Sequence, residues 1–201
     1  MSIVKLNNRA VKDATAVGSI TGLGNLVFIS RSTASSSSSV SITSGLTSTH
    51  KEYIFMFNNI HPSVDGANFQ FQASTNGGSS YGVTLTTTSF RSYHDEAGNN
   101  TGLTYENTFD LAQSTSYQDI NREVGGDNDQ CQSSILHLFD PSNTTFVKHF
   151  LSNGSRIQQN DFNSNNFVAG YFNTTSAINA LDFKMSSGNI DSGTIDMYGV
   201  L

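Results

Sequence analysis

The sequence has no tryptophan, one cysteine and two prolines, and Asp, Glu, Lys and Arg make up only 13% of its 201 residues. Each scarcity excludes something. A lone cysteine, Cys131, rules out an intramolecular disulfide and fits synthesis in a reducing cytoplasm. The ten Lys and Arg are scattered and the net charge is −6, so the clustered cations that hold nucleic-acid phosphates are missing. Uninterrupted apolar runs stop at four or five residues, as in Tyr53-Ile-Phe-Met-Phe57, against the roughly 20 that a membrane helix needs. Met1 to Arg9 contains no apolar core of a signal peptide, so none is expected. Runs rich in Ala, Glu, Lys and Leu are almost absent, which argues against helices.

What is present is 36% hydrophobic residues, 14 of them Phe, set among Ser, Thr, Asn and Gly. That is enough for a core, and the length suits one all-β domain. The pattern is apolar strand, short polar turn, apolar strand. Leu26 to Ser30 opens the series, and the serine run Ser35 to Ser39 reads as a flexible turn before Val40-Ser-Ile42. Tyr53 to Phe57 is apolar on both faces, as in a central strand, with Asn58-Asn59 and His61-Pro62 ending it. Phe69 to Ala73 alternates, predicting one buried and one wet face. Asn76-Gly77-Gly78 marks a turn before a strand over Val83 to Tyr93.

A polar stretch, His94 to about Gln132, follows, with a short helix or an insertion loop expected over Tyr105 to Ile120. Asp140-Pro-Ser-Asn-Thr-Thr145 then joins two apolar arms, Ser134 to Phe139 and Phe146 to Leu151. Proline presets φ and Asp or Asn bonds the local backbone, so this is a hairpin. Segments Phe167 to Phe172, Ile178 to Met185 and Thr194 to Val200 bring the count to about ten strands, with the chain's end held in a sheet. The expected architecture is an all-β sandwich of jelly-roll type over 25–201, preceded by an extended N-terminal arm over 1–24.

No catalytic, cofactor-binding or metal-ligating residue emerges. If Phe139 pairs with Phe146, His137 and His149 point to opposite faces and cannot share an ion. His50, His61 and His94 lie at strand ends or in a turn, without zinc-site spacing. Asp127 and Asp129 after Gly125-Gly126 form an oxygen-rich loop, but the offsets do not match a calcium hand. Asp95 and Glu96 form a second acidic loop; both pairs are what good turn formers look like. Neither pair carries a glycosidase assignment, since that rests on spacing in space. Cys131 has no activating neighbour and reads as a small packed hydrophobe. No nucleophile elbow and no phosphate-cradling glycine loop occurs. Tyr81, Tyr93, Tyr105 and Tyr117, in or beside the polar section, are the candidates for stacking on a sugar, with core packing the plainer role.

Three stretches carry a resemblance: Lys51-Glu-Tyr-Ile-Phe-Met-Phe-Asn-Asn-Ile-His-Pro62, Leu136-His-Leu-Phe-Asp-Pro-Ser-Asn-Thr-Thr-Phe-Val-Lys-His-Phe150, and Phe183-Lys-Met-Ser-Ser-Gly-Asn-Ile-Asp-Ser-Gly-Thr-Ile-Asp-Met-Tyr-Gly199. They resemble a group of small virion proteins of tailed bacteriophages, marine and cyanobacterial ones in particular. The resemblance implies a β-sandwich on the outside of the particle, without catalysis or cofactor. It implies a capsid decoration (cement) protein, with a tail-fibre or receptor-binding, carbohydrate-binding module as the alternative. The implied partners are further copies of the chain, as a homotrimer, and the major capsid protein or another virion protein. Its location would be the virion, assembled in the host cytoplasm.

Overall fold

The structure, a computed structural model, describes residues 25–201, so the arm expected over 1–24 lies outside the described residues. Twelve strands follow in order: β1 (Leu26–Ser37), β2 (Val40–Ile42), β3 (Glu52–Pro62), β4 (Ala67–Ser74), β5 (Leu85–Asp95), β6 (Thr101–Tyr105), β7 (Gln118–Val124), β8 (Gln132–Phe139), β9 (Lys148–Ile157), β10 (Phe162–Phe172), β11 (Ala180–Met185) and β12 (Ile190–Val200). All pairings are antiparallel. One sheet has the order β1-β12-β3-β8-β9-β10-β5-β6, the other β2-β11-β4-β7. The described residues contain no helix.

The all-β sandwich expected from the sequence is therefore present. A jelly roll spreads eight strands over two sheets as two Greek keys; here twelve strands divide eight and four. β12, the expected C-terminal strand, lies inside the large sheet between β1 and β3. Its Gly199 packs directly under the His50 ring, with no room for a Cβ.

The small sheet covers the inner face of the large one, and its Phe side chains make the core. Phe183 on β11 meets Phe55, Phe57, Phe69 and Phe71 at centroid distances of 5.8, 5.1, 6.1 and 6.4 Å. Phe71 continues the cluster to Phe150 and Phe172. All seven are buried, and each aromatic side chain carries a large apolar area into the interior.

Several local expectations need correcting. The serine run is mostly strand: Ser35 pairs with Ser192 and Ser37 with Ile190, leaving Ser38-Ser39 as the crossing between sheets. β3 does not end at Asn58-Asn59. It bulges there, with Asn59 at φ 50°, and pairs on to Pro62 opposite Ile190. A bulge absorbs an unpaired residue and lets the ladder continue. The face of β4 expected to be wet is covered: Gln72 is buried, its amide donating to the carbonyls of Thr115 and Ser116. Of the two alternatives for Tyr105 to Ile120, the loop is the one present, over 106–117, and no helix forms. The polar section holds two strands, β6 and β7, joined by a loop. The Asn76-Gly77-Gly78 turn is as expected, with both glycines at positive φ.

The β8–β9 hairpin forms, closed by Asn143, whose side chain accepts from the N–H groups of Thr145 and Phe146. Its register differs from the one expected. Leu138 pairs with Phe150 and His137 with Leu151, a shift of three residues from a Phe139–Phe146 pairing. An odd shift turns one strand's side chains to the other face. His137 and His149 therefore share the outer face.

Candidate functional site

Each residue considered for chemistry has a structural occupation. His50 is buried and its Nδ1 lies 3.1 Å from the Val200 carbonyl. His61 reaches the Asp127 carbonyl, and His94 the carbonyl of Asp95. Asp95 accepts from the N–H groups of Asn99 and Asn100 and from the Asn100 amide at 2.8–2.9 Å. Those bonds hold its carboxyl below the ordinary value and make it a turn cap, while Glu96 is exposed beside it. Asp127 and Asp129 are exposed in a turn closed by the Gln130 N–H on the Asp127 carbonyl. Among the described residues no three His, Cys, Asp or Glu side chains converge as a metal site. Cys131 is half-buried, and burial pushes its thiol up, away from the reactive thiolate.

The four tyrosines divide. Tyr117 lies on the outer face of the small sheet. Its ring sits under Lys184 and its hydroxyl donates to Asp182 at 2.9 Å. Burial, then that bond, pushes the hydroxyl up. Tyr93 packs its ring under Arg91 and beside Phe162. Tyr105 is exposed and bonded to Asp110. Tyr81 borders a cup of about 350 Å³ lined mostly by hydroxyl and amide side chains, Thr75, Ser80, Thr84, Asn173 and Thr174, with Gly82 and Val83.

Sequence reasoning missed a buried polar layer at the β7 end of the interior. β7 is buried at six of its seven residues although it reads Gln-Asp-Ile-Asn-Arg-Glu-Val. Glu106 takes Arg122 at 2.6 Å and Arg91 at 2.7 Å, and Arg122 stacks on Phe109. Asn121 donates to Gln132 across the two sheets. Arg156, 1% exposed, donates through Nη1 to Asn166 at 2.7 Å, while its Nε and Nη2 meet no protein acceptor. Burial, reinforced by the charges of Arg91 and Arg122, lowers its pKa to about 9. This layer is structural in its placement, being closed off between the sheets.

The feature open to a partner is the outer face of the large sheet. Register aligns its side chains in rows across the strands. One row runs Ile135, Asn153, Phe167, Phe90, Tyr105 over β8, β9, β10, β5 and β6. Phe90 and Phe167 stack at 4.8 Å and 7°, and are 41% and 38% exposed. The adjacent row is His137, Leu151, Ala169, Thr88. Beyond it stands a second ridge, His149 and Tyr171, with rings 6.0 Å apart. Ile135, Phe167 and Phe90 on one side and Leu151, Ala169 and Thr88 on the other line a trough of about 380 Å³. Its lining includes no Asp, Glu, Lys or Arg. The alternation that puts Leu151, Phe167 and Phe90 outside is readable in the strands, but only the correct register shows that they meet.

No known protein family matches the chain, and no curated protein or solved structure matches it.

Proposed function

We propose that this chain is a non-enzymatic structural protein of a tailed-phage virion surface, a capsid decoration protein that works by lateral contact. The observation that carries the reading is the outer face of the large sheet. Its apolar trough and aromatic ridges are the kind of surface that proteins use for association. The rim around it is hydroxyl and amide rather than charge, as in Ser133, Ser155, Asn165 and Ser92, so like surfaces can approach without repulsion. A sandwich with few charged residues suits a cement role, as does the resemblance to phage virion proteins. The proposed assembly is a homotrimer on the major capsid protein, in the virion.

Quantitative gel densitometry of purified particles tests this. Decoration requires hundreds of copies per particle against the major capsid protein; a few tens or fewer would exclude it. A second reading, a tail-fibre module that binds carbohydrate, is favoured by the hydroxyl- and amide-lined cup at Tyr81. Glycan-array binding that disappears in Tyr81→Ala would support that reading. Silence across host polysaccharides would count against it.

A further inference from the structure

We infer that the trough on the outer face is filled by the N-terminal segment, residues 1–24, of a neighbouring copy of this chain, so that the copies are laced by exchanged arms. The inference rests on the assembly reading and names what occupies its surface.

Three observations carry it. The first is direction. Leu201 N–H donates to the Asn25 carbonyl at 3.0 Å, extending the β1–β12 ladder one residue beyond Leu26. The described chain therefore begins at Asn25, just beyond the row Leu26, Val200, Glu52, Phe139. The trough lies on the other side of that row, so to enter its own trough the segment would have to reverse over the ridge. Leu26 and Phe28, 45% and 54% exposed, mark this exit as apolar contact surface.

The second is reach. Twenty-four extended residues span roughly 80 Å. Eight strands at about 4.8 Å spacing make a sheet roughly 34 Å across. The segment can leave one sandwich and still cross the next.

The third is chemistry. From Ala10 to Gly24 the segment offers Ala10, Val11, Ala14, Ala16, Val17, Ile20 and Leu23, with Lys12 and Asp13 as its only charges. Small and medium apolar side chains suit a lining of Leu151, Ala169 and Thr88 beside the Phe90–Phe167 pair. The lining holds no Asp, Glu, Lys or Arg, and its one histidine, His137, is already bonded to Glu52 at 2.6 Å.

Single-cysteine variants of the full chain test this, all in a Cys131→Ser background. One variant carries Thr88→Cys in the trough. The others carry Val11→Cys, Val17→Cys, Ile20→Cys or Leu23→Cys in the arm. Trough and arm variants are mixed, allowed to exchange subunits and oxidised. The expected result is a disulfide-linked heterodimer for at least one arm position, several-fold above the link between two trough variants. A chain carrying both cysteines that instead closes on itself as a monomer overturns the inference in favour of the chain's own arm. No link at any position, in a protein that sedimentation shows to be oligomeric, also overturns it and leaves the assembly reading standing. A protein that sediments as a monomer at tens of micromolar overturns both. Leu151→Glu, placed in the trough, is expected to release the oligomer while circular dichroism stays that of the folded sheet. An unchanged oligomer would show that the trough is not the contact.

Discussion

The two ends of this sandwich's interior are built from opposite materials. Around Phe183 the sheets are joined by seven buried Phe rings and need no directional bond. At β7 they are joined by Asn121–Gln132, Arg122–Glu106 and the Asn166 amide on the Ile120 carbonyl, all buried. Apolar packing tolerates small displacements, whereas a buried hydrogen bond is either made or leaves a desolvated group. The aromatic end should therefore supply most of the stability, and the polar end should fix how the sheets are placed.

The largest expected effect is at the aromatic end. Phe183→Ala removes the ring that four others touch, and should cost about 3–5 kcal/mol in denaturant unfolding. A loss below about 1 kcal/mol would mean that the cluster is not the main source of stability. Next comes Glu106→Gln, which leaves two guanidinium groups facing a neutral amide. Breaking a buried pair from one side costs about 3 kcal/mol. The swap Glu106→Gln with Arg122→Met should recover part of that loss, because only Arg91, which also has Glu123 at 3.7 Å, is left facing the amide.

Arg156 sharpens the comparison in the other direction. Its guanidinium is buried with one side-chain acceptor and no carboxylate at bonding distance. Arg156→Met should thus stabilise the protein by about 1 kcal/mol. With a folded pKa near 9, below its ordinary value, the charged form is disfavoured by folding, and that cost applies in full at pH 7. The cost diminishes as pH rises through 9, so the gain from Arg156→Met should shrink between pH 7 and 10.5. A variant that is less stable than the parent at pH 7 would show that the arginine fixes the fold more than it burdens it.

Legibility followed the same division. The aromatic end was readable because Phe69, Phe71 and Phe183 sit in strands whose apolar residues recur at period two, and burial follows that pattern. The β7 end was not, since a run such as Gln118-Asp-Ile-Asn-Arg-Glu has the composition of a surface loop. What buries it is the partners that neighbouring strands supply, Gln132 and Asn166 among them. The hairpin shows a third case. Its turn was legible in Asp140-Pro-Ser-Asn143, yet the register was not. Asn143 accepts from both Thr145 and Phe146, which holds Phe146 in the turn and starts the strand at Lys148. That one detail moved His137 and His149 onto one face and assembled the trough. The candidate site was thus present in the sequence as exposed apolar residues, and absent as a place.

The smallest effect lies outside both interiors, at the edge of the large sheet, where Arg31 donates to Asp196 from Nε and Nη2, each at 2.6 Å. Those donors hold the Asp196 carboxyl below its ordinary value, more than offsetting its burial. A carboxyl lowered by folding adds stability above about pH 4, and that contribution is lost as pH falls through the folded value. Arg31 is more than half exposed, so solvent screens the pair. Arg31→Ala should cost little at pH 7, the smallest loss of the series. The cost should vanish on acidification, because the parent forfeits the same interaction once Asp196 is protonated. Unfolding curves of parent and variant, separate at pH 7, should therefore converge toward about pH 2. Asp95 and Asp140 are lowered by bonds of their own, so the variant keeps a residual acid sensitivity. Curves that stay equally separated at every pH would mean that Arg31 stabilises the edge by packing its stem along β12, and that the charge pair contributes nothing.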